Sequence, residues 1–397
     1  MPSLPSSSPA RSLVAARIAF FYSAVFAVVG VQLPFWPVFL ASRGADAAEI
    51  GLLLAMPLVV KLVANPAAGI LADRTGSRRG IMAGLAAAAL GAYALFGVAH
   101  GFWPLAAATS LAAAAFSPLL PLGENVAVRV AHERGLDYGR LRLWGSLAFI
   151  IAALASGELL GRGGADWALR LVLLFVFLVL ASCVLLPETE AAATRPRPWR
   201  LLRERRLLLV LLAATLVQAS HSAYYVVATL HWQALGHSSA TIGWLWAEGV
   251  VAEIVLFWFG GKLVRRLGPL RLIAFAGLAG LARWFGTAGA ESLPALVLLQ
   301  AMHGLTFGAA HLGVMHFLGR ALPPSLSATG QALYSTMNGI GFGLGMAAAG
   351  ALYAVAAWLA WAVMAAAAGA GALLAMRLAP AESGVDAPFP PMRGSPR

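Results

Sequence analysis

Long apolar runs, broken by short polar turns, fill most of the chain. A helix rising 1.5 Å per residue needs roughly 20 apolar residues to cross the hydrocarbon of a bilayer. Windows of that length predict twelve spanning helices, at 14–40, 47–72, 80–99, 103–131, 139–161, 166–186, 207–234, 240–264, 270–290, 293–320, 327–352 and 354–378. The first run continues past Pro34 and Pro37, so it reads as a full span rather than a cleaved signal peptide. The longest hydrophilic connection, PETEAAATRPRPWRLLRERR at 187–206, falls near the middle. The predicted organisation is a cytoplasmic tail (1–13), a six-helix half (14–186), a cytoplasmic linker (187–206), a second six-helix half (207–378) and a disordered Pro/Gly-rich cytoplasmic tail (379–397).

Composition turns this pattern into a class. The chain is 60% hydrophobic and 11% charged, with a mean hydropathy of +0.80. Soluble domains carry about 25% charged residues, so the bilayer is the solvent for most of this surface. The expectation is an all-α integral membrane protein.

The net charge of +12 does not point to nucleic acid, because the basic residues stand in short clusters between spans. Arg74, Arg78 and Arg79 follow the second span; Arg129, Arg134 and Arg140 surround the turn after the fourth. Arg195, Arg197, Arg200, Arg203, Arg205 and Arg206 fill the linker, and Lys262, Arg265, Arg266 and Arg271 follow the eighth. The opposite side holds little beyond Arg43, Arg162 and Arg170. The positive-inside rule then predicts both termini in the cytoplasm; the expected location is a bacterial cytoplasmic (inner) membrane. The single cysteine, Cys183, excludes an internal disulfide, and no Cys/His cluster suggests a metal. No HExxH, G-x-S-x-G or P-loop motif is present, which argues against an enzyme or an ATP-driven pump; no cofactor is expected.

A shift of 192 residues superposes parts of the two halves. Ile50 and Gly51 fall on Ile242 and Gly243; Gly69, Leu71, Gly76 and Arg79 fall on Gly261, Leu263, Gly268 and Arg271. Such repeats mark transporters whose binding site lies between two halves near the midplane.

Ionisable residues inside spans cost at least ~2.5–3.5 kcal/mol each and face a partner or a cavity. Glu124 and Arg142 are equidistant from residue 133, the middle of a helical hairpin, so they lie at similar depth and can pair. Glu248 and Glu253 are five residues apart, about 140° around a helix, so they cannot both face one groove squarely. The repeat maps Lys61 onto Glu253, and both are candidate cavity residues. Gln218, His221, Tyr224 and Tyr225 form a polar stripe in the seventh span; Gln331, Tyr334 and Asn338 form another in the eleventh. Each reads equally as a cavity lining or as inter-helix hydrogen bonding. Trp144, Trp246 and Trp284 are candidates to stack on an aromatic substrate, with belt or core packing as the ordinary alternative; His311 and His316 read as packing residues.

GILADRTGSRRG at 69–80 resembles the signature loop of the major facilitator superfamily, with Gly69, Asp73, Arg74, Gly76, Arg78 and Arg79 matching. Gly69 would let helices approach, Gly76 would permit the turn, and Asp73 would pair with an arginine or a helix N-terminus. The resemblance implies that this loop gates conformation. FSPLLPLGENVAV (116–128) and LDYGRLRLWGSLAF (136–149) resemble the lactose permease group, and residues 220–254 resemble its phenylpropionate permease branch. That likeness implies two pseudo-symmetric six-helix halves and a monomer. It also implies substrate binding by Glu124 and Arg142, and it places Arg283 and His303 in a coupling cluster. The coupling carboxylate of the group is absent: Thr306 stands in its place, and the group's eighth-span carboxylate falls on Val250.

Glu253, or failing that Glu248, is therefore the expected proton carrier, since a low-dielectric cavity favours a protonated carboxylate. Arg283 or Lys61 would stabilise its ionised form. Lys61, Glu124, Arg142, His221, Tyr225, Arg283 and His303 are the expected substrate-binding set. Three cations balance three carboxylates, so one added proton leaves a net positive site suited to a small organic acid. The expected function is proton-coupled uptake of such an acid, aromatic acids included, by alternating access. A sugar or nucleoside symporter, an exporter of drugs or metabolites, and a non-transporting membrane sensor are the alternatives.

Overall fold

The computed structural model describes residues 9–188 and 198–379, and these are almost wholly helical. Most of the expected first tail, the central part of the linker with Arg195 and Arg197, and 380–397 of the second tail lie outside the described residues. The first seven helices are α1 (Pro9–Ser42), α2 (Ala47–Thr75), α3 (Arg78–Ala94), α4 (Phe102–Phe116), α5 (Leu119–Arg134), α6 (Tyr138–Gly163) and α7 (Asp166–Leu185). Then follow α8 (Arg205–Ala219), α9 (Ser222–Ala234), α10 (Ser239–Leu267), α11 (Pro269–Gly289), α12 (Leu293–Ala301), α13 (Ala309–Ala321), α14 (Pro324–Val355) and α15 (Ala357–Leu378). Among the described residues twelve segments are long and apolar enough to cross a membrane, from Ser12–Ser42 to Ala357–Leu378.

Three of these segments are broken helices. Pro118 and Pro121 interrupt the fourth, because proline lacks a backbone donor and crowds the preceding turn. The seventh breaks at Ser220 and His221, whose side chains face the carbonyls of Val217 and Gln218. The tenth passes from α12 into α13 through a π-turn at Gly304–Gly308.

The chain divides into two compact units, residues 1–193 with 232–247, and residues 194–231 with 248–397. In the first, α1 packs on α6 and α7, α3 on α4 and α7, and α2 on α4. In the second, α8 packs on α14 and α15, and α11 on α13 and α15. The α1–α6, α1–α7, α3–α4 and α3–α7 pairs thus recur six spans later. The 192-residue repeat is visible in the backbone as well: Gly76 and Gly268 both follow a helix with a positive φ, +68° and +76°, although Gly76 is a left-handed cap with ψ of −1° and Gly268, with ψ of 161°, opens α11.

Turn chemistry sets the ends of the helices that matter most. Asp46 and Glu49 form a reciprocal capping box at the start of α2. Left-handed Gly135 closes α5, and Asp137 accepts the Arg140 N–H to open α6. This three-residue connection makes α5 and α6 an antiparallel hairpin.

Candidate functional site

The α5–α6 hairpin brings Arg142 Nε to 3.2 Å from Glu124 Oε1, the pairing expected from their equal distance to residue 133. The other carboxylate oxygen accepts from two phenols: Tyr22 at 2.8 Å and Tyr138. Glu124 therefore has both oxygens engaged. The Arg142 guanidinium lies over the Phe26 ring at 4.1 Å and near Tyr22 at 5.4 Å, a cation–π arrangement. Two glycines admit α1 to this place. A Cβ on Gly123 would run into the Phe21 ring, and one on Gly145 would come 2.9 Å from Phe26. Neither Nη atom of Arg142 has a hydrogen-bond partner among the described residues. Sequence reasoning missed Tyr22 and Phe26, since nothing local ties α1 to a carboxylate 102 positions away; Tyr138 was within reach, next to the Asp137 cap.

A longer chain of polar groups occupies the second unit. His303 Nε2 is 2.8 Å from Glu253 Oε1, and its Nδ1 is 2.9 Å from Arg283 Nη1. A guanidinium can only donate, so Nδ1 accepts and the neutral ring carries its proton on Nε2, pointing at Glu253. Arg283 also donates to Thr306 Oγ1 at 3.0 Å and to Gln300 Oε1 at 2.7 Å, and Gln300 in turn donates to the Tyr224 hydroxyl. His221 Nδ1 faces the carbonyls of Val217 and Gln218, and its Nε2 lies 3.0 Å from Thr306 Oγ1, whose hydroxyl donates to the His303 carbonyl at 3.1 Å. The path Glu253–His303–Arg283–Thr306–His221 is thus continuous.

Arg283 is fully buried, between the rings of Tyr224 at 5.2 Å and Trp284 at 4.6 Å. Among the described residues no carboxylate touches it. Arg283 bears on Glu253 by charge rather than by contact, since His303 stands between them, and Lys61, half-buried on α2, has no hydrogen-bond or ion-pair partner among the described residues. The crossing of α10 with the π-turn sets this geometry. A Cβ on Gly304 would stand 2.5 Å from the Ala252 carbonyl oxygen, next to Glu253. Glu248 is half-buried and joins none of these bonds. Tyr225 lies beside His221, Tyr224 and Phe342. The Gln300 link was missed because a glutamine in an apolar run has no motif around it.

The 69–80 loop has the expected turn at Gly76, and Asp73 pairs with Arg78 at 3.5 Å. Arg79 pairs with Glu188, whose carboxylate also accepts the Arg79 N–H at the start of α3; Arg74 is exposed. The close helix approach expected at Gly69 is absent, since a Cβ there meets nothing within 4 Å. Of the three tryptophans weighed for stacking, Trp246 and Trp284 are core residues and Trp144 is exposed.

The MFS_1 like family matches residues 15–363 of the chain. The chain belongs to this family. It is a multi-pass membrane transporter of the major facilitator type, not an enzyme. The probable 3-phenylpropionic acid transporter of Escherichia coli (strain K12) is 32% identical over 311 residues, covering 76% of this transporter and 81% of that relative. The maltose permease of Geobacillus stearothermophilus is 31% identical over 335 residues, covering 81% and 83%. The crystal structure of the nucleoside transporter NupG has the same fold: it superposes with a TM-score of 0.79 at 18% identity, over 92% of this chain and 98% of that one.

Proposed function

We propose that this transporter takes up a small organic carboxylate, an aromatic acid in particular, with a proton and by alternating access. It acts as a monomer in a bacterial cytoplasmic membrane, with both termini cytoplasmic. The observation that carries the substrate class is Arg142. Glu124 anchors it through Nε alone, and both Nη nitrogens keep their donors for a planar carboxylate, which a guanidinium grips with two parallel hydrogen bonds. The Phe26 and Tyr22 rings beside it favour an aromatic body. The likeness to the 3-phenylpropionic acid transporter supports the same class. Lys61 supplies a further cation in this unit.

Proton coupling is assigned to Glu253. His303 has its Nδ1 occupied by Arg283, so it cannot take a second proton without losing that bond. Glu253 can gain a proton on its far oxygen while Oε1 still accepts from His303. Glu248 lacks such a partner. His221, Arg283, His303 and Tyr225 then act through this network, and the 69–80 loop serves as the conformational gate.

A sugar is the second reading, favoured by the maltose permease relative. Proteoliposome counterflow with labelled 3-phenylpropionate, maltose and a nucleoside separates the two. Exchange of the aromatic acid, lost in Arg142→Ala, is the expected result; exchange of maltose alone would overturn the carboxylate reading. For coupling, Glu253→Gln should keep counterflow and lose accumulation driven by an inward proton gradient.

A further inference from the structure

One end of the second unit carries a charge that nothing in the unit balances. Lys262, Arg265 and Arg266 stand in the last turns of α10, Arg271 follows in α11, and Arg320 and Arg377 stand in the last turns of α13 and α15. All six are exposed, and none has an ion pair or a hydrogen bond among the described residues. Glu204, just before α8, is the one carboxylate described at this end, and it is flanked by Arg203 and Arg205. The first unit differs. Near its 69–80 loop, Arg78, Arg79 and Arg129 are paired with Asp73, Glu188 and Glu133. The remaining sequence supplies no surplus of negative charge either: residues 189–197 hold Glu190 against Arg195 and Arg197, and residues 380–397 hold Glu382 and Asp386 against Arg393 and Arg397. The counter-charge must come from another molecule.

The cations also continue an apolar strip. Val251, Val255 and Trp258 are 46%, 52% and 84% exposed. At roughly 100° per residue they share a sector of about 80° on α10 with Lys262 and Arg265. The opposite face makes the packing contacts of this stretch: Glu253 meets His303, Leu256 adjoins Gly308 and Gly260 adjoins Leu312. The 29 residues of α10 span about 43 Å, against a hydrocarbon core of about 30 Å. Its last turns therefore reach the head-group layer, and Trp258 stands about 13 Å further in than Leu267.

We propose that this end of the second unit docks an anionic phospholipid, its phosphate on Lys262, Arg265 and Arg266 and an acyl chain along Trp258, Val255 and Val251. Arginine forks grip phosphate oxygens with paired hydrogen bonds, and clustered cations at a membrane surface attract anionic head groups. A zwitterionic lipid brings its own cation and gains less. A soluble anion would meet the charges but leave the apolar strip unused; a phospholipid uses both. Because α10 carries Glu253 on its other face, a lipid held here bears on the helix that presents this carboxylate to His303. The proposal does not depend on which substrate is carried.

Native mass spectrometry of the full-length transporter, released from detergent micelles doped with phosphatidylglycerol or phosphatidylcholine of the same acyl chains, tests it. Phosphatidylglycerol should be retained several-fold more than phosphatidylcholine. Lys262→Gln, Arg265→Gln and Arg266→Gln together should bring its retention down to the phosphatidylcholine level, and Trp258→Ala should lower it several-fold. Equal retention of the two lipids by the wild type would overturn the proposal, and that comparison needs no variant to fold. Unchanged retention in either folded variant would overturn it as well. So would displacement of phosphatidylglycerol by glycerol 1-phosphate at an equal concentration, which would assign the cations to a soluble anion.

Discussion

His303 presents its Nε2 proton to Glu253 across 2.8 Å, and it can do so only because its Nδ1 is held by Arg283 on the other side. The two ring nitrogens therefore have fixed and opposite duties, and changes at either end of the ring should have separable effects.

Glu253→Gln keeps an acceptor for the Nε2 proton, so thermal unfolding in detergent should shift little while proton-driven accumulation disappears. His303→Ala removes the partner of both neighbours. It leaves a buried guanidinium donor unmet, a loss of about 1–3 kcal/mol, and should lower the Tm clearly. A His303→Ala protein as stable as wild type would refute the relay geometry.

Arg142→Lys keeps the charge but loses the fork and the stacking on Phe26. If each hydrogen bond to a charged group is worth about 1.5–3 kcal/mol, loss of one from a bidentate grip weakens an organic acid at least about tenfold. Binding titrations of the purified variant check this, and an unchanged Kd would show that the acid does not meet Arg142.

Tyr22→Phe and Tyr138→Phe each strip one donor from the same oxygen of Glu124. Either alone should be mild, because the other phenol remains. The double variant should raise the substrate KM by more than the product of the two single effects, a coupling that a double-mutant cycle reads directly.

Gly304→Ala would set a methyl 2.5 Å from the Ala252 carbonyl oxygen, a backbone atom that cannot turn away. A destabilisation of about 1–3 kcal/mol is expected, together with loss of the Glu253–His303 bond and of coupling. Gly69→Ala, with open space at its Cβ, should leave stability unchanged. Thermal unfolding of the two variants side by side gives the comparison.

The twelve spans were legible because hydropathy at bilayer length is a strong signal, and the Glu124–Arg142 pair because a short hairpin converts sequence distance into depth. Gly76 and Gly268 were legible as a repeat, and the positive φ that both turns require supplies the reason for it. What was hidden depends on helix rotation and on contacts far apart in sequence. Tyr22 reaches Glu124 only because Gly123 and Gly145 admit α1. The bridge from Arg283 to Glu253 through His303 could not have come from periodicity. The break at Ser220–His221 and the π-turn at Gly304–Gly308 were equally invisible, because neither contains a proline and each is held by side chains from elsewhere in the unit.

Arg283 lies at the centre of the second unit, closed off from solvent and touching no carboxylate among the described residues. A fixed positive charge in so apolar a setting acts as a sign filter. Sodium, potassium and protonated amines are repelled before any contact is made, while a proton is exempt because it arrives by neutralising a carboxylate rather than by adding a separate ion. On the proposed proton coupling, a residue that never binds the coupling ion would thus help to select it.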